Sequence, residues 1–169
     1  NLYYLAFNQS PNTTEVIAKL STMMRYMLYD SNHPRVPLDK EIEYIENYIS
    51  LERLRLNEEV PINFEVKGST AGVTIVPLVL ITFLENAFKH GIDAVQASFI
   101  KIELEVDNDK IKYSVVNSSF AEKDKVTNSG IGLKNLKKRL ELLYPNKFEL
   151  FTKERNNLFK ATLILNFKE

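Results

Sequence analysis

The sequence of 169 residues contains no cysteine and two histidines, His33 and His90, and its 22 basic side chains balance its 22 acidic ones. The lack of cysteine excludes a disulfide framework, a thiolate metal site and a cysteine nucleophile. Two histidines alone are too few for an ordinary zinc site. Binding of nucleic acid without sequence preference needs an excess of basic side chains, so we expect no nucleic-acid partner.

Long hydrophobic runs are also lacking. The most apolar stretch, residues 75–84, is interrupted by Pro77 and Thr82 and stops at Glu85, well short of the roughly 20 residues that a membrane-spanning helix needs. The sequence shows no signal peptide. It does not begin with methionine, and residues 2–7 resemble the middle of a helix. We therefore expect a fragment of a longer protein, in which any membrane anchor lies in the missing upstream part.

Hydrophobic residues make up 44% of the chain, enough for a real core. Apolar residues at helical spacing predict helices, and alternating ones predict strands. The predicted helices cover about residues 14–30, 39–56, 77–91 and 132–144, with Pro77 in the first turn of the third. The predicted strands cover residues 60–66, 99–106, 110–116, 147–154 and 157–167. Residues 117–129 are polar and turn-rich, which indicates a flexible loop.

This order of elements predicts an α+β fold, a two-layer sandwich with helices on one face of a mixed, mostly antiparallel sheet. We divide the chain into a helical segment, residues 1–34, and a second domain, residues 35–169. The apolar stripe of the helix at residues 14–30 is long for so small a unit. We therefore expect this helix to pair with another chain or with a missing segment.

The stretch "ENAFKHG" (residues 85–91) is polar although it ends the most apolar helix. Asn86, Lys89 and His90 are spaced i, i+3, i+4 and share one helix face. An amide oxygen can ligate Mg²⁺, and lysine and histidine can face phosphate oxygens. A solvated last turn capped by Gly91 is the alternative, and this stretch alone favours that alternative.

A second stretch, "SGIGLKN" (residues 129–135), places Gly130 and Gly132 where a loop becomes a helix. Exposed N–H groups and the helix dipole at such a point make a natural phosphate site, and glycine lets the backbone approach an anion closely. A lone G-x-G is weak evidence, but its position after a polar loop and downstream of Asn86 strengthens it. Between the two stretches, Asn117 in "VVNSS" ends a strand and could bind a base edge, or simply start a loop.

Three stretches of the sequence together resemble the GHKL nucleotide-binding proteins, and more closely the LytS-type sensor histidine kinases. "FLENAFKHG" (residues 83–91) is similar to the N box of that family. "GIGLKNLKKRLELLY" (residues 130–144) is similar to its glycine box and the following helix. "LSTMMRYMLYDSN" and "VPLDKEIEYIENYISLERLRL" resemble the segment that joins its dimerisation helices to its catalytic domain. The resemblance covers essentially the whole chain.

The resemblance implies that the chain binds ATP, with Asn86 holding a Mg²⁺ ion that bridges the phosphates, and that residues 118–129 form an ATP lid. The γ-phosphoryl group would pass to a histidine of the dimerisation domain and then to an aspartate of a response regulator, of the LytTR type. Glu85, next to Asn86, is a candidate base or orienting group. The implied nucleotide-binding residues are Asn86, Lys89, His90, Asn117, Gly130, Ile131, Gly132, Leu133, Asn135 and Arg139. The resemblance also implies a homodimer, and a cytoplasmic location as part of a membrane-anchored bacterial protein.

Three departures from the family pattern qualify this prediction. The family's acceptor histidine lies in a motif just before "NLYYLAFN", which is not part of this chain, so the chain as given should not phosphorylate itself. The adenine-reading aspartate of the family is Asn117 here, followed by Ser118 and Ser119 in place of Asn-Gly. Relatives that hydrolyse ATP carry a glutamate four residues before the metal-binding asparagine, whereas this chain has Thr82.

Two rival hypotheses stay open. The chain could be a non-catalytic interaction module with a degenerate nucleotide site, which the sequence around Asn117 motivates. It could also be a serine kinase that acts on a partner protein, although the dimerisation-type helix at residues 14–30 argues against this function.

Overall fold

The computed structural model describes residues 12–56, 60–93, 95–120 and 131–167. The chain divides into two compact units, residues 1–59 with 72–78 and residues 60–71 with 79–169. The helices are α1 Thr13–Leu28, α2 Leu38–Arg53, α3 Ile81–His90 and α4 Ile131–Leu143. The strands are β1 Val36–Pro37, β2 Ile62–Lys67, β3 Thr74–Ile75, β4 Ile100–Val106, β5 Lys110–Ser118, β6 Phe148–Arg155 and β7 Leu158–Asn166. These units are spatial, and the domain boundary between residues 34 and 35 stays a prediction.

The first unit is built from helices α1 and α2 and a small antiparallel pair of strands, β1 and β3. Apolar residues at helical spacing bury one face of α1 through Val16, Met23 and Tyr26. The rings of Tyr26 and Tyr44, on α2, lie 5.1 Å apart between centroids. The two helices therefore pack through aromatic and aliphatic side chains, as amphipathic helices of this spacing do.

A buried carboxylate joins three parts of this first unit. Glu41, on α2, is 1% exposed. It accepts hydrogen bonds from the hydroxyl of Tyr26 on α1 and from the backbone N–H of Leu78, at 2.8 Å for the latter. Burial, and then the adjacent Glu41 carboxylate, raise the pKa of Tyr26, so the phenol keeps its proton and remains a donor.

The same contact corrects the predicted start of the third helix. Pro77 is not in its first turn, because α3 begins at Ile81. Leu78 has a left-handed backbone, with φ of 59°, a conformation that costs free energy for a residue with a side chain. Because its N–H binds the Glu41 carboxylate, a residue 37 positions earlier compensates for a turn that the local sequence does not predict.

The second unit is a five-stranded sheet in the order β2-β4-β5-β7-β6. Strands β2 and β4 are parallel, and the other neighbouring strands are antiparallel. Helices α3 and α4 pack together, α3 lies against β5 and α4 against β6. The predicted two-layer α+β sandwich with a mostly antiparallel sheet is confirmed.

The core of the second unit follows from strand alternation. On β4, Ile100, Ile102 and Leu104 are buried and their neighbours face outward. Phe83 of α3 meets Tyr113 of β5 edge to face, with ring centroids 5.5 Å apart at 84°. This edge-to-face aromatic pair is one of the contacts that hold α3 against the sheet.

Several predicted boundaries shift. Strands β1 and β3 were not predicted, and β5 extends to Ser118, so Asn117 belongs to the strand rather than to the following loop. The predicted helix at residues 2–8 and most of the predicted lid, residues 121–129, lie outside the described residues. Within the part of the chain that the structure describes, no helix is both long and apolar enough to cross a membrane.

Candidate functional site

A cavity of about 470 Å³ lies in the second unit, between the two helices and strands β5, β6 and β7. This volume is typical of a small-molecule site. Its lining combines side chains from α3, β5, α4, β6 and β7. The lining residues are Asn86, His90, Asn117, Ser118, Ser119, Leu133, Lys134, Lys137, Leu150, Thr152, Glu154 and Phe159.

Helix α3 contributes Asn86 and His90, one turn apart on the same side of the helix. Phe83, Leu84 and Ala87 of the same helix are buried. Burial of these apolar groups orients α3 so that its amide and imidazole side chains line the cavity. The polar side chains of residues 85–91 therefore include two that line the cavity, in addition to those at the exposed helix end.

Gly91 ends α3 for a steric reason. Its backbone has an ordinary negative φ of −94°, and its N–H caps the helix through the carbonyl of Ala87. A Cβ atom at this position would lie 2.6 Å from Nδ2 and 2.7 Å from Cβ of Asn117. Only glycine therefore lets the end of α3 approach the strand residue that lines the cavity.

Strand β5 presents three polar side chains in succession, Asn117, Ser118 and Ser119, the first two in the strand itself. Nδ2 of Asn117 donates to the carbonyl of Ser118 at 2.7 Å. Oγ of Ser118 accepts from the N–H of Phe99 at 3.1 Å, and Oγ of Ser119 donates to the carboxylate of Glu154 on β6. These bonds hold the three side chains in place at the strand end and leave the Oδ1 atom of Asn117 as its acceptor.

Helix α4 contributes Leu133, Lys134 and Lys137 to the wall. The buried side chains of Leu136 and Leu140 anchor this helix in the core. Two lysines one turn apart thus stand beside the cavity, where they can attract an anion.

The cavity brings together Asn86, His90, Asn117 and Leu133 from the predicted site. Five other predicted residues that the structure describes are not among its lining residues: Glu85, Lys89, Gly132, Asn135 and Arg139. Of these, Gly132 lies close to α3, since a Cβ there would be 3.9 Å from Cγ2 of Thr82. Gly130 and the side chain of Ile131 lie outside the described part. The roles assigned to all these residues stay predictions.

Sequence reasoning missed the lysines and the strand residues of the lining: Lys134, Lys137, Leu150, Thr152, Glu154 and Phe159. A helix phase anchored on Leu136 and Leu140 would have placed the two lysines on one side of α4. No sequence pattern identified the residues on β6 and β7 as part of the site, because their position beside Asn117 depends on how the strands pair.

Glu85, the candidate base, is exposed as a residue, yet partial burial of its carboxyl raises its pKa. Glu85 is not among the residues that line the cavity, and it lies about 100° around the helix axis from Asn86.

Comparison with known proteins agrees with the resemblance noted in the sequence. Residues 1–60 match the family model described as histidine kinase. The sensor protein LytS of Staphylococcus haemolyticus is 28% identical over 154 residues, which cover 83% of this chain and 26% of LytS. The sensor protein kinase HptS of Staphylococcus aureus is 35% identical over 78 residues, or 46% of this chain and 15% of HptS. The chain thus spans about a quarter of LytS and less of HptS.

Solved structures show the same fold. The catalytic domain of the histidine kinase ThkA superposes with a TM-score of 0.54 at 19% identity, covering 78% of this chain and 93% of that domain. The histidine kinase domain of a blue-light-activated kinase from Erythrobacter litoralis gives 0.56 at 13% identity, covering 95% and 82%. ThkA in complex with the response regulator TrrA gives 0.52 at 20% identity, covering 92% and 49%. The fold is therefore shared with these histidine kinase structures, as predicted.

Proposed function

We propose that this chain, a relative of the LytS-type sensor histidine kinases, is the catalytic portion of a two-component sensor kinase. It binds Mg-ATP in the cavity of the second unit. The γ-phosphoryl group is then transferred to a histidine of the dimerisation domain and relayed to an aspartate of a response regulator.

The observation that supports this proposal is that basic and apolar side chains line different parts of the cavity wall. His90, Lys134 and Lys137 stand on the helices, where they can meet phosphate oxygens. Leu150 and Phe159 provide an apolar floor on the strands. Asn117 presents a hydrogen-bond acceptor beside that floor. A nucleotide triphosphate has the matching parts, a charged chain at one end and a flat base at the other.

The donor set also fits magnesium. Asn86 offers an amide oxygen, a hard ligand of the kind that Mg²⁺ accepts, and Mg²⁺ is usually held by few protein groups together with substrate phosphates. When bound, the ion would neutralise charge on the phosphates. Asn86 would hold and orient it, while the lysines and His90 would restrain the phosphate chain, which is where most catalysis of phosphoryl transfer arises.

Glu85 extends the proposal to the acceptor side. Partial burial raises its pKa, which makes the carboxylate a stronger base and suits a group that takes a proton from the acceptor imidazole. Glu85 is exposed and does not line the cavity, so a second protein group could reach it.

The remaining assignments belong to the same proposal. Residues 1–34 form part of a dimerisation segment and residues 35–169 the catalytic domain. The longer protein is a homodimer anchored in a membrane, with this portion in the cytoplasm, and its regulator is of the LytTR type. The complex of ThkA with TrrA supports a response regulator as the partner class.

One observation favours a second candidate, a non-catalytic interaction module with the same fold. Asn117 replaces the charged aspartate of the family, and Ser118 and Ser119 replace the glycine-containing turn that follows it. A neutral acceptor without that glycine could hold the base too weakly for catalysis.

The test is calorimetric titration of the whole chain with ATP in the presence and absence of Mg²⁺. We expect binding that strengthens with Mg²⁺. In Asn86→Ala this enhancement should disappear, because the variant lacks the amide ligand. Asn63→Ala is the matched control, since Asn63 is an exposed asparagine on β2 outside the cavity, and it should behave like the wild type.

A folded wild-type chain that fails to bind millimolar ATP would overturn the kinase proposal and favour the interaction module. Equal Mg²⁺ enhancement in the wild type and in Asn86→Ala would leave ATP binding in place but remove the metal-binding role of Asn86.

A further inference from the structure

Three cavity residues stand in one row across the sheet. Asn117 of β5 pairs with Phe159 of β7, and Phe159 pairs with Glu154 of β6. All three side chains line the cavity. Adjacent strands are about 4.8 Å apart, so the backbones of Asn117 and Glu154 lie about 10 Å from each other with Phe159 between them. A flat heterocycle can rest on the Phe159 ring while the side chains of Asn117 and Glu154 converge on one of its polar groups from the two ends of the row.

Electrostatics decides which end of a nucleotide meets this row. Lys134 and Lys137 stand on α4, whereas the row carries the carboxylate of Glu154. A phosphate chain is attracted to the lysines and repelled by the carboxylate. The base of the nucleotide therefore lies over the row and the phosphates toward the helices.

Hydrogen bonds within the row determine what each edge residue offers to the base. Nδ2 of Asn117 is used by the carbonyl of Ser118, which leaves Oδ1 as an acceptor. Oε1 of Glu154 accepts from the hydroxyl of Ser119, which holds the carboxylate in place and leaves Oε2 as a second acceptor. Each end of the row thus presents an acceptor, and the ionised carboxylate of Glu154 offers no donor.

We propose that Glu154 is a specificity-determining residue of the nucleotide site: it accepts an N–H of the 6-amino group of adenine and is positioned by Ser119, while Phe159 is the platform for the base. An amino group has two N–H donors, one for each edge of the row. A 6-oxo purine brings an acceptor against the carboxylate and is rejected. The inference rests on the proposed binding of ATP and assigns residues that neither the motifs nor the sequence pattern identified.

The experiment compares ATP with purine riboside 5′-triphosphate, which lacks only the 6-amino group, by calorimetric titration of the whole chain with Mg²⁺. The ratio of the two dissociation constants measures the contribution of the amino group. In the wild type we expect ATP to bind about tenfold to a hundredfold more tightly, the range for hydrogen bonds to charged groups. In Glu154→Gln the ratio should fall at least several-fold, because the remaining amide oxygen is taken by Ser119.

Glu149→Gln is the matched control, since Glu149 lies on β6 an odd number of residues from Glu154 and faces the other side of the sheet. It should leave the ratio unchanged. Phe159→Leu tests the platform and should weaken both nucleotides about tenfold without changing their ratio. Phe151→Leu, on the other face of the same sheet, should do neither.

The outcomes separate the two proposals. If ATP binds but the ratio is near one in the wild type, or unchanged in Glu154→Gln, the assignment of Glu154 is overturned and the kinase proposal stands. If the folded wild type binds neither triphosphate, the proposed function and this inference both fail.

Discussion

Gly91 shows how a single residue without a side chain positions a binding group. It joins the end of α3 to the buried side chain of Asn117, which would lie within 2.7 Å of any added Cβ atom. Asn117 is 1% exposed and bonded to the carbonyl of Ser118, so it has little room to move. The position of the acceptor oxygen over the cavity thus depends on a glycine in a different element.

Gly91→Ala should therefore destabilise the protein and weaken ATP binding together. Overpacking of this kind costs about 1–3 kcal/mol of unfolding free energy, measured by urea denaturation. Gly132→Ala is the control for stability, because among the residues that the structure describes only Cγ2 of Thr82, at 3.9 Å, would lie near its Cβ. If Gly91→Ala is as stable as Gly132→Ala, Asn117 can move away from the added Cβ atom at little cost, and the predicted overpacking is wrong.

Glu41 acts at the residue scale in the first unit. It is a buried acid on an otherwise apolar helix face, and it uses Tyr26 and the N–H of Leu78 as donors. An ionised carboxylate inside a protein needs such partners, since desolvation without them costs several kcal/mol. Removing one donor leaves that cost partly uncompensated.

At the scale of elements, the tie from Tyr26 to Glu41 holds α1 against α2. Tyr26→Phe keeps the ring but removes the donor, and we expect a loss of about 1–3 kcal/mol in unfolding free energy, followed by helical circular dichroism in urea. Tyr29→Phe, at a ring that is 69% exposed, should change stability by far less. Equal effects of the two substitutions would show that the hydroxyl of Tyr26 does not stabilise the helix pair.

Helices and strands whose buried face follows from the spacing of apolar residues along the chain could be predicted from the sequence. The apolar alternation of β4 and β5 identified these strands, and the helical spacing of apolar residues identified α4, because burial follows these periods. The start of α3 was not predictable, since Leu78 takes its left-handed turn through a carboxylate 37 residues away. Local rules favoured Pro77 as the first turn and could not include that partner.

The candidate site divides in the same way. Asn86, His90 and Asn117 were identified from motifs, because polar groups at a helix end and at a strand end stand out in the sequence. Glu154 and Phe159 were not identified, because they join Asn117 only through the register of β5, β7 and β6. Register links residues across 37 positions of chain, 117 to 154, and no local pattern reports it.

At the scale of the whole molecule, helix α1 exposes apolar side chains in addition to those that it buries. Its inner face is buried, yet a second set of large apolar side chains on the same helix is exposed: Ile17, Leu20, Met24, Met27 and Leu28. Exposed apolar patches of this kind mark interaction surfaces. The helical spacing of the set gives a continuous stripe, which suits pairing with the same helix of a second copy.

We therefore expect the chain to self-associate through this stripe. Sedimentation velocity should show a fraction of dimer that increases with protein concentration in the micromolar range. Met24→Glu places a charge in the stripe and should shift the equilibrium to monomer by at least about tenfold, because an unpaired charge is costly to bury. Val95→Glu, at a side chain that is 93% exposed on the second unit, should leave association unchanged. A wild-type chain that stays monomeric throughout this range would contradict self-association through this stripe.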